Sequence, residues 1–223
     1  MRIASIHPST SHSFTLDTLL LSLPPGQEHI WPRGDMIYRQ DAKPEYVYRI
    51  RSGRVKLSRV CQDGRETVLE ILKPGEILGE VAVLDDSLRP AQAQALDLVI
   101  TDAWPVSLWR QHLDTDSRLG IWLAKRLNTR LRQAQDRIES LAYDSIPRRL
   151  ARTMLENGER FGTQLEDGRL RLAPLTHEAL AQQVATSREI ITHYMNQFRQ
   201  QGMLEYSRKW IDLQPEKLQQ LLQ

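Results

Sequence analysis

Residues 175–198 read LTHEALAQQVATSREIITHYMNQF and decide how the C-terminal part of the chain folds. Thr176 and Ser187 each stand directly before a segment with helical periodicity, and both residue types favour the N-cap position of a helix. Only a short turn around Ala185 remains between the two segments. Two short helices joined by so tight a turn form a helix-turn-helix, and this is the structure that the stretch predicts.

The apolar residues of this stretch have the spacing of two helices that cross closely. The first helix would bury Leu180, Ala181 and Val184, and Ala181 is small enough for the crossing. The second helix is predicted to turn four side chains inward, namely Ile190, Ile191, Tyr194 and Phe198. The turn of such motifs often carries a glycine, so Ala185 departs from the usual pattern.

The outward side of the second helix carries residues suited to reading bases. Arg188 and Glu189 lie in its first turn, and Thr192 and His193 follow one turn later. In a docked helix-turn-helix, the N-terminal part of this helix reaches base edges. Arginine donates two hydrogen bonds to guanine and glutamate accepts one from cytosine. Without their context Arg188 and Glu189 are better explained as solvated charges, whereas inside the two-helix pattern base contacts are favoured.

A small wing is predicted after the second helix. Residues 204–206 and 210–213 have the pattern of two strands, and the turn between them contains Arg208 and Lys209. Basic side chains at such a tip can bind phosphates, which position a protein on DNA without reading its sequence. A solvated turn is the alternative explanation for either residue.

Upstream, residues 24–112 have the pattern of an antiparallel β domain. Apolar or alternating runs recur about every ten residues with glycine-centred turns between them. These runs are residues 46–50, 55–60, 67–72 and 98–103. Asp63-Gly64 between two of the runs is a strong hairpin signal. The pattern predicts a sandwich or barrel of the β-roll or jelly-roll type.

Residues 114–144 change to helical periodicity. Small or apolar residues alternate there by four and three, at Gly120, Ala124, Leu127, Leu131, Ala134, Ile138 and Leu141. A seam of this kind over about three heptads is typical of a coiled coil. We therefore expect a homodimer interface that comprises Leu127, Leu131, Ala134, Ile138 and Leu141. A single helix packed on its own domain is the alternative, because Gly120 and Ala124 weaken the first heptad.

The chain as a whole is predicted to be α+β, with a second domain after the long helix. Pro147 ends that helix or opens the next one, which is predicted from Arg148 to about Gly158 and is followed by a strand pair around residues 170–172. The predicted organisation is a leader at 1–23, the β domain at 24–112, the dimerisation helix at 113–145 and the winged helix-turn-helix domain at 146–223.

Composition is that of an ordinary globular protein, with 40% hydrophobic and 26% charged residues. No apolar run approaches the ~20 residues needed to span a bilayer, and the N-terminus lacks the pattern of a signal peptide. We therefore expect a soluble, cytoplasmic protein with no membrane partner. The net charge of +2 is too small to indicate a nucleic-acid partner, so any basic surface must be local. Cys61 is interpreted as buried filler, with a haem ligand or redox thiol as the alternative.

The sequence indicates neither an enzyme nor a metal site. It contains no glycine-rich phosphate loop, nucleophile elbow or paired histidine ligands. Asp85-Asp86 is an acidic turn of the kind that is usually solvated. His7, His12 and His29 lack metal-ligand spacing with other ligands.

A β domain, a long helix and a C-terminal winged helix-turn-helix together resemble the CRP/FNR superfamily of bacterial transcription regulators. The resemblance covers nearly the whole chain after about residue 24 and is strongest at residues 186–189. It implies a homodimer that binds double-stranded promoter DNA, with RNA polymerase as a further partner. It also implies a G·C-containing half-site and phosphate contacts by Thr176 and Ser187. His193 stands where cyclic-AMP-responsive members carry a second guanine-reading arginine.

The same resemblance implies that the β domain is a sensor for a cyclic nucleotide, cAMP or cGMP, or for another small effector. Gly79-Glu80 resembles the Gly-Glu that holds a ribose hydroxyl, and Arg89 resembles the arginine that pairs with the cyclic phosphate. A carboxylate accepts from a hydroxyl, and the arginine fork suits phosphate oxygens. Ala91 keeps the small residue of the motif, and residues 81–88 are predicted to form a short helix and a loop.

Three positions depart from the nucleotide-binding pattern. Pro90 replaces a serine or threonine, so a hydroxyl and a backbone donor are lost. Alignment with the family's hinge places Ala134 and Gln135 where adenine-contacting hydroxyls sit. These departures favour the alternative that Glu80 and Arg89 form a structural ion pair in a pocket without a nucleotide. A cyclic-nucleotide-binding signalling module that does not act on DNA is a further alternative, against which the helix-turn-helix argues.

Overall fold

The computed structural model describes residues 16–85 and 87–223, and the N-terminal part of this region is a β domain. Its strands are β1 (Gln27–Trp31), β2 (Met36–Tyr38), β3 (Tyr46–Ser52), β4 (Val55–Val60), β5 (Glu66–Leu72), β6 (Ile77–Leu78), β7 (Gln92–Ala95) and β8 (Val99–Pro105). They form two four-stranded antiparallel sheets, in the orders β1-β8-β3-β6 and β2-β7-β4-β5. The predicted β-roll or jelly-roll class is confirmed.

The core of this domain comes from the alternation of residues along its strands. Ile50 of β3, Leu72 of β5 and Val99 of β8 have no exposed surface. Successive side chains of a strand point to opposite faces, so alternate residues of one strand can enter this core, as Ala93 and Ala95 of β7 do. The core fixes the frame on which the turn after β6 and the segment before β7 are held.

The predicted hairpin at Asp63-Gly64 joins β4 to β5. Gly64 has a φ of 83°, a left-handed conformation that glycine adopts at little cost. The Cys61 amide donates to the Arg65 carbonyl oxygen at 2.9 Å, which closes the turn. Cys61 is exposed, so its interpretation as buried filler is wrong. The residue follows the last position of β4 and lies in the turn rather than in the alternating part of the strand.

Three helices pack against this domain, and they correct the predicted boundary of the long helix. The short α1 (Leu16–Leu20) is followed, after the strands, by α2 (Val106–Thr115) and α3 (Ser117–Tyr143). The sequence predicts one helix over 114–144 and assigns residues up to 112 to the β domain. The structure has two helices because Asp116 ends α2 and caps α3, where its carboxylate accepts from the Arg118 amide at 3.0 Å.

The predicted leader contributes to the core where the structure describes it. Leu19 and Leu20 of α1 are buried in one cluster with Trp109 of α2 and Leu123 of α3. His7 and His12 lie outside the described residues, as does Asp86.

The C-terminal domain combines four helices with a small sheet. Its elements are α4 (Ile146–Phe161), β9 (Thr163–Gln164), β10 (Leu170–Leu172), α5 (His177–Val184), α6 (Arg188–Gln200), β11 (Leu204–Tyr206), β12 (Ile211–Leu213) and α7 (Pro215–Gln220). The strands are ordered β11-β12-β10-β9. The helix predicted over 148–158 is longer at both ends, since Pro147 lies in its first turn and Gly162 follows its last residue. Leu150, Leu180 and Ile191 lie at the centre of the domain with no exposed surface.

Candidate nucleic-acid interface and effector pocket

The two central helices, α5 and α6, are capped as the sequence predicts. The Thr176 hydroxyl oxygen accepts from the Ala179 amide at 3.0 Å, and the Ser187 hydroxyl oxygen accepts from the Ile190 amide at 3.4 Å. The Thr176 hydroxyl is exposed and keeps its own proton to donate, whereas the Ser187 hydroxyl also donates to the Glu189 carboxylate. The positions predicted to contact DNA phosphates therefore lie at the starts of two helices, where the helix dipole favours an anion.

The turn between the two helices depends on Ala185. Its φ of 58° and ψ of 61° are left-handed, a conformation that costs a residue with a Cβ about 1–2 kcal/mol. Arg149 of α4 supports the turn, because its guanidinium donates to the Val184 carbonyl oxygen at 3.0 Å and to that of Ala185 at 3.4 Å. The conformation explains why glycine is usual here and why Ala185 stands out in the sequence.

The inner face of α6 differs from the prediction at one position. Ile191 and Phe198 are buried and Tyr194 is half-buried, but Ile190 is 37% exposed. Met195 is fully buried. Positions 191, 195 and 198 follow the spacing of four and three along one helix face, and position 190 is turned about 100° from it. The prediction that Ile190 faces inward is therefore wrong.

The outer face of α6 presents the residues predicted to read bases. Arg188, Glu189 and His193 are exposed, and Thr192 is half-buried. Arg188 and Thr192 are one turn apart, as are Glu189 and His193, so the four side chains share one side of the helix. Hydrogen bonds from the Ser187 side chain and from the backbone amide of Glu189 itself lower the pKa of the Glu189 carboxyl group below its usual value. Glu189 is therefore a carboxylate that can accept from a base.

His177 is a residue of this surface that sequence reasoning missed. It lies at the start of α5, half-buried, with its ring edge against Tyr206 of β11 at a centroid distance of 5.8 Å. Its Nδ1 is 2.8 Å from the Thr192 hydroxyl oxygen. His177 thus connects α5, α6 and the wing. Its only sequence signal is its place next to the Thr176 cap.

The wing is held rigidly at its base and is exposed at its tip. Arg171 of β10 makes two 2.7 Å hydrogen bonds to Asp212 of β12, and its guanidinium lies 5.1 Å from the Trp210 ring centre. At the tip, Arg208 and Lys209 are exposed. This is the arrangement expected of basic residues that contact phosphates.

The second site lies in the β domain, where Gly79 approaches Arg89 closely. A Cβ on Gly79 would be 2.6 Å from an Arg89 guanidinium nitrogen, and its φ is 86°, so two constraints require glycine. The Arg89 side chain, 3% exposed, donates to the carbonyl oxygens of Gly79 at 2.9 Å and Tyr46 at 2.5 Å. It also lies 4.3 Å from the Tyr38 ring centre. Arg89 therefore points into the domain.

Glu80 is fully buried beside Arg89 but pairs with the long helix. One of its oxygens is 2.8 Å from Arg130 and 3.7 Å from Arg126, both on α3. The expected alternative, an ion pair between Glu80 and Arg89, is therefore wrong, because Arg89 binds backbone carbonyls instead. Sequence reasoning missed Arg126 and Arg130, although their i, i+4 spacing beside the apolar seam places both on one face of α3.

Two charged groups of this pocket keep hydrogen-bonding capacity unused. Among the described residues, the Glu80 Oε2 and the Arg89 Nε have no hydrogen-bond partner, and the Glu80 Oε1 is met only by its ion pairs with Arg126 and Arg130. Buried polar groups are normally satisfied, so these are the atoms with which a molecule bound in the pocket would form hydrogen bonds. Ala91 is buried nearby, whereas Pro90 is exposed, and Ala134 and Gln135 are exposed on α3.

Comparison with known proteins identifies the family to which the chain belongs. A model for a cyclic nucleotide-binding domain matches residues 28–115, and one for a Crp-like helix-turn-helix domain matches residues 148–221. A CRP-like cAMP-activated global transcriptional regulator from Mycobacterium tuberculosis is 32% identical over 190 residues, which are 80% of each chain. The chain belongs to the CRP/FNR family.

Further relatives agree with this assignment. A cyclic AMP receptor protein from Thermus thermophilus is 29% identical over 197 residues, 86% of each chain. The structure of a CRP/FNR-family transcriptional regulator from the same organism superposes with a TM-score of 0.72 at 28% identity, over 87% of this chain and 97% of that one. FixK2 from Bradyrhizobium japonicum shares the fold, with a TM-score of 0.77 at 22% identity over 88% and 96% of the two chains.

The chain is therefore a CRP-like transcription regulator whose C-terminal domain is a DNA-binding helix-turn-helix. No helix in residues 16–85 and 87–223 has both the length and the apolar character needed to cross a membrane. In the same residues, no three His, Cys, Asp or Glu side chains are grouped in a way that could hold a metal ion.

Proposed function

We propose that two copies of the chain bind promoter DNA in the cytoplasm, under the control of a small effector in the β domain. The observation that carries this proposal is the outer face of α6, which starts at a capped N-terminus and presents Arg188, Glu189 and His193 to solvent. RNA polymerase is the partner through which a protein bound there would change transcription.

Base reading is assigned to four residues of α6. Arg188 donates two hydrogen bonds to a guanine, and Glu189 accepts from a cytosine amino group. Thr192 and His193 reach the base pairs one turn further along the helix. Thr176, Ser187, Arg208 and Lys209 contact phosphates and so set the register of the helix in the groove.

The dimer is assigned to the apolar edge of α3. Leu131, Ile138 and Leu141 are 58%, 67% and 43% exposed in the single chain, and the nearby Leu127 and Ala134 continue the same seam. Only the first part of α3, with Leu119 and Leu123, is buried by its own domain. Pairing of this edge would place two α6 helices on half-sites ~34–36 Å apart.

The effector is assigned to the pocket of Gly79, Glu80 and Arg89. An anion would recruit the Arg89 guanidinium, and a hydroxyl or amino group would donate to Glu80. Two relatives, one named a cAMP-activated regulator and the other a cyclic AMP receptor protein, make a cyclic nucleotide the first ligand to test. Another small anionic effector is the alternative, since Pro90, Ala134 and Gln135 offer fewer polar groups than a cyclic nucleotide would use.

Selection from a pool of random duplexes tests the DNA-binding proposal. The wild-type chain should enrich a two-fold symmetric motif at moderate salt. Arg188→Ala should lose discrimination at one guanine of each half-site by roughly 5- to 150-fold, the equivalent of 1–3 kcal/mol. Arg132→Ala, an exposed arginine of α3, is the matched control and should leave the motif unchanged. Enrichment of no motif, or an unchanged motif with Arg188→Ala, would refute the assignment.

Calorimetry with cAMP and cGMP tests the effector proposal. A nucleotide that binds at this pocket should lose its heat of binding with Arg89→Gln, because that change removes the cation that meets the phosphate. No heat with either nucleotide refutes a cyclic nucleotide and leaves the other effector class.

A further inference from the structure

Six buried or half-buried charges link the effector pocket to the DNA-binding domain. Three are carboxylates and three are guanidiniums, and they come from β5, the turn after β5, the segment after β6, α3 and α4. They are Glu70, Glu76, Glu80, Arg126, Arg130 and Arg160.

The first part of this charge network joins the pocket to β5 through α3. Arg130 lies 2.8 Å from Glu80 and 3.4 Å from Glu70, so one guanidinium is shared by two carboxylates. Arg126 is shared in the same way, at 3.7 Å from Glu80 and 3.4 Å from Glu70. The Glu70 side chain is only 9% exposed, and that of Glu80 is fully buried.

The second part joins β5 to the DNA-binding domain. Arg160, near the end of α4, lies 3.7 Å from Glu70. Its guanidinium also meets both carboxylate oxygens of Glu76 at 3.2 Å. The Lys73 amino group donates to the Arg160 carbonyl oxygen at 3.4 Å. Arg126 and Arg130 on one side of Glu70, and Arg160 on the other, therefore lie between the buried pocket carboxylate and the rest of the interdomain contact.

Burial makes these charges depend on one another. Screening by water is weak at such positions, so the gain or loss of one partner changes the pull on the next. With three charges of each sign, a ligand that neutralises or occupies Glu80 leaves Arg126 and Arg130 with Glu70 alone. Glu70 is then held more strongly by α3, and its attraction to Arg160 is weakened.

We propose that Glu70 and Arg160 are positioning residues that couple occupancy of the effector pocket to the docking of the DNA-binding domain. This proposal rests on the proposed function, because it assigns a consequence to binding at Glu80. Other bonds also join the domains: Arg137 of α3 bridges the carbonyl oxygens of Val68 and Gln183 at 2.9 Å each, and Gln182 donates to Glu66 at 3.1 Å. A cleft of about 530 Å³ beside them, lined by Glu70, Glu156 and Arg160 among others, gives the domain room to move.

The Glu80→Gln variant lacks the negative charge of Glu80 and so imitates an effector that neutralises this side chain, with neither DNA nor effector present. Spin labels on the natural Cys61 and on a cysteine introduced at Gln220, an exposed residue of α7, report the distance between the two domains by double electron–electron resonance. The full-length labelled chain is diluted in excess unlabelled chain, so that the distances lie within one chain. Glu80→Gln should shift the distribution to longer distances. Arg130→Gln removes one of the two α3 guanidiniums that compete with Arg160 for Glu70, so it should not lengthen the distances.

The double variant separates coupling from a general structural effect. Arg160→Gln should shift the distribution by itself, and adding Glu80→Gln should then shift it no further. Arg160→Lys, which keeps the charge, should restore the response to Glu80→Gln. Arg51→Gln, which removes an exposed ion pair with Glu28 elsewhere in the β domain, is the matched control and should change nothing.

Two results would overturn the proposal. One is an unchanged distribution in Glu80→Gln. The other is a shift by Glu80→Gln that is as large with Arg160→Gln as without it. Because the measurement contains no DNA, failure of this coupling is distinct from failure of sequence-specific DNA binding.

Discussion

The Nδ1 atom of His177 lies 2.8 Å from the hydroxyl oxygen of Thr192, and that hydroxyl donates to the Arg188 carbonyl oxygen at 2.9 Å. The hydroxyl proton of Thr192 is thus donated within α6, and one lone pair of the same oxygen faces His177 of α5. The methyl group is the part of this side chain left to meet DNA. A methyl on a recognition helix is suited to the methyl group of a thymine.

We therefore expect Thr192 to distinguish thymine from uracil. Replacing the thymines of the selected half-site by deoxyuridine, one at a time, should weaken binding of the wild-type chain about fourfold at one position, the equivalent of one buried methyl at ~0.8 kcal/mol. Thr192→Ser keeps the hydroxyl and its hydrogen bonds but has no methyl, so it should bind both duplexes equally. Fluorescence anisotropy with paired duplexes measures the ratio. Equal discrimination by wild type and Thr192→Ser would show that another residue makes the contact.

The same histidine predicts a pH dependence of stability. Burial first, and the charge of Arg188 second, lower the pKa of His177 below its ordinary value of 6.5. The unfolded chain therefore takes up a proton at this residue more readily than the folded chain does, and stability falls as the pH decreases through 6.5. Urea unfolding of the wild type and of His177→Gln should show a larger stability difference at about pH 7.5 than at about pH 5.5. A difference that grows towards low pH would contradict the sign of this shift.

Ala185 should be replaceable by glycine with a gain in stability. With a Cβ, the left-handed backbone at this position costs about 1–2 kcal/mol, which glycine would relieve. Glycine is also more flexible in the unfolded chain, and this offsets about 0.5–1 kcal/mol of the stability gained. Ala185→Gly should thus raise the free energy of unfolding by about 0.5–1 kcal/mol, with DNA affinity unchanged. Ala181→Gly, four residues earlier in the helical and buried part of α5, is the opposite control and should destabilise. A change of the same sign in the free energy of unfolding for both substitutions would contradict the role given to the turn.

How far the sequence predicts this molecule depends on the range of the interactions involved. The caps at Thr176 and Ser187 and the turn at Ala185 are local, so the pattern of residues 175–198 suffices to predict them. The sequence predicts that Ile190 faces inward because apolar character does not distinguish two adjacent positions at the edge of a helix face. The end of α2 at Asp116 is likewise decided by one capping side chain within otherwise continuous helical periodicity.

The contacts of the effector pocket show where sequence reasoning ends. The Gly79-Glu80 motif and Arg89 are close in sequence and predict a shared pocket. Which cation meets Glu80 depends on how α3 packs against the β domain, and this brings in Arg130 from fifty positions away along the chain. The interdomain partners of Arg160 are equally remote in sequence, since no local pattern relates the end of α4 to β5.

The exposed edge of α3 should be required for dimer formation. Ile138 is 67% exposed in the single chain, so Ile138→Asp should leave the fold intact while placing a charge in the expected interface. Loss of the apolar contact from two copies, at about 1.5–3 kcal/mol each, should weaken the dimer by at least about 100-fold. Arg132→Glu, an exposed change on the same helix away from the seam, is the matched control and should leave the dimer unchanged. Sedimentation velocity over a range of concentrations measures both. Because two half-sites are bound together only by a dimer, Ile138→Asp should also lose the two-fold symmetric motif in selection, while each α6 keeps its base contacts. A stable dimer of the Ile138→Asp variant would place the interface elsewhere.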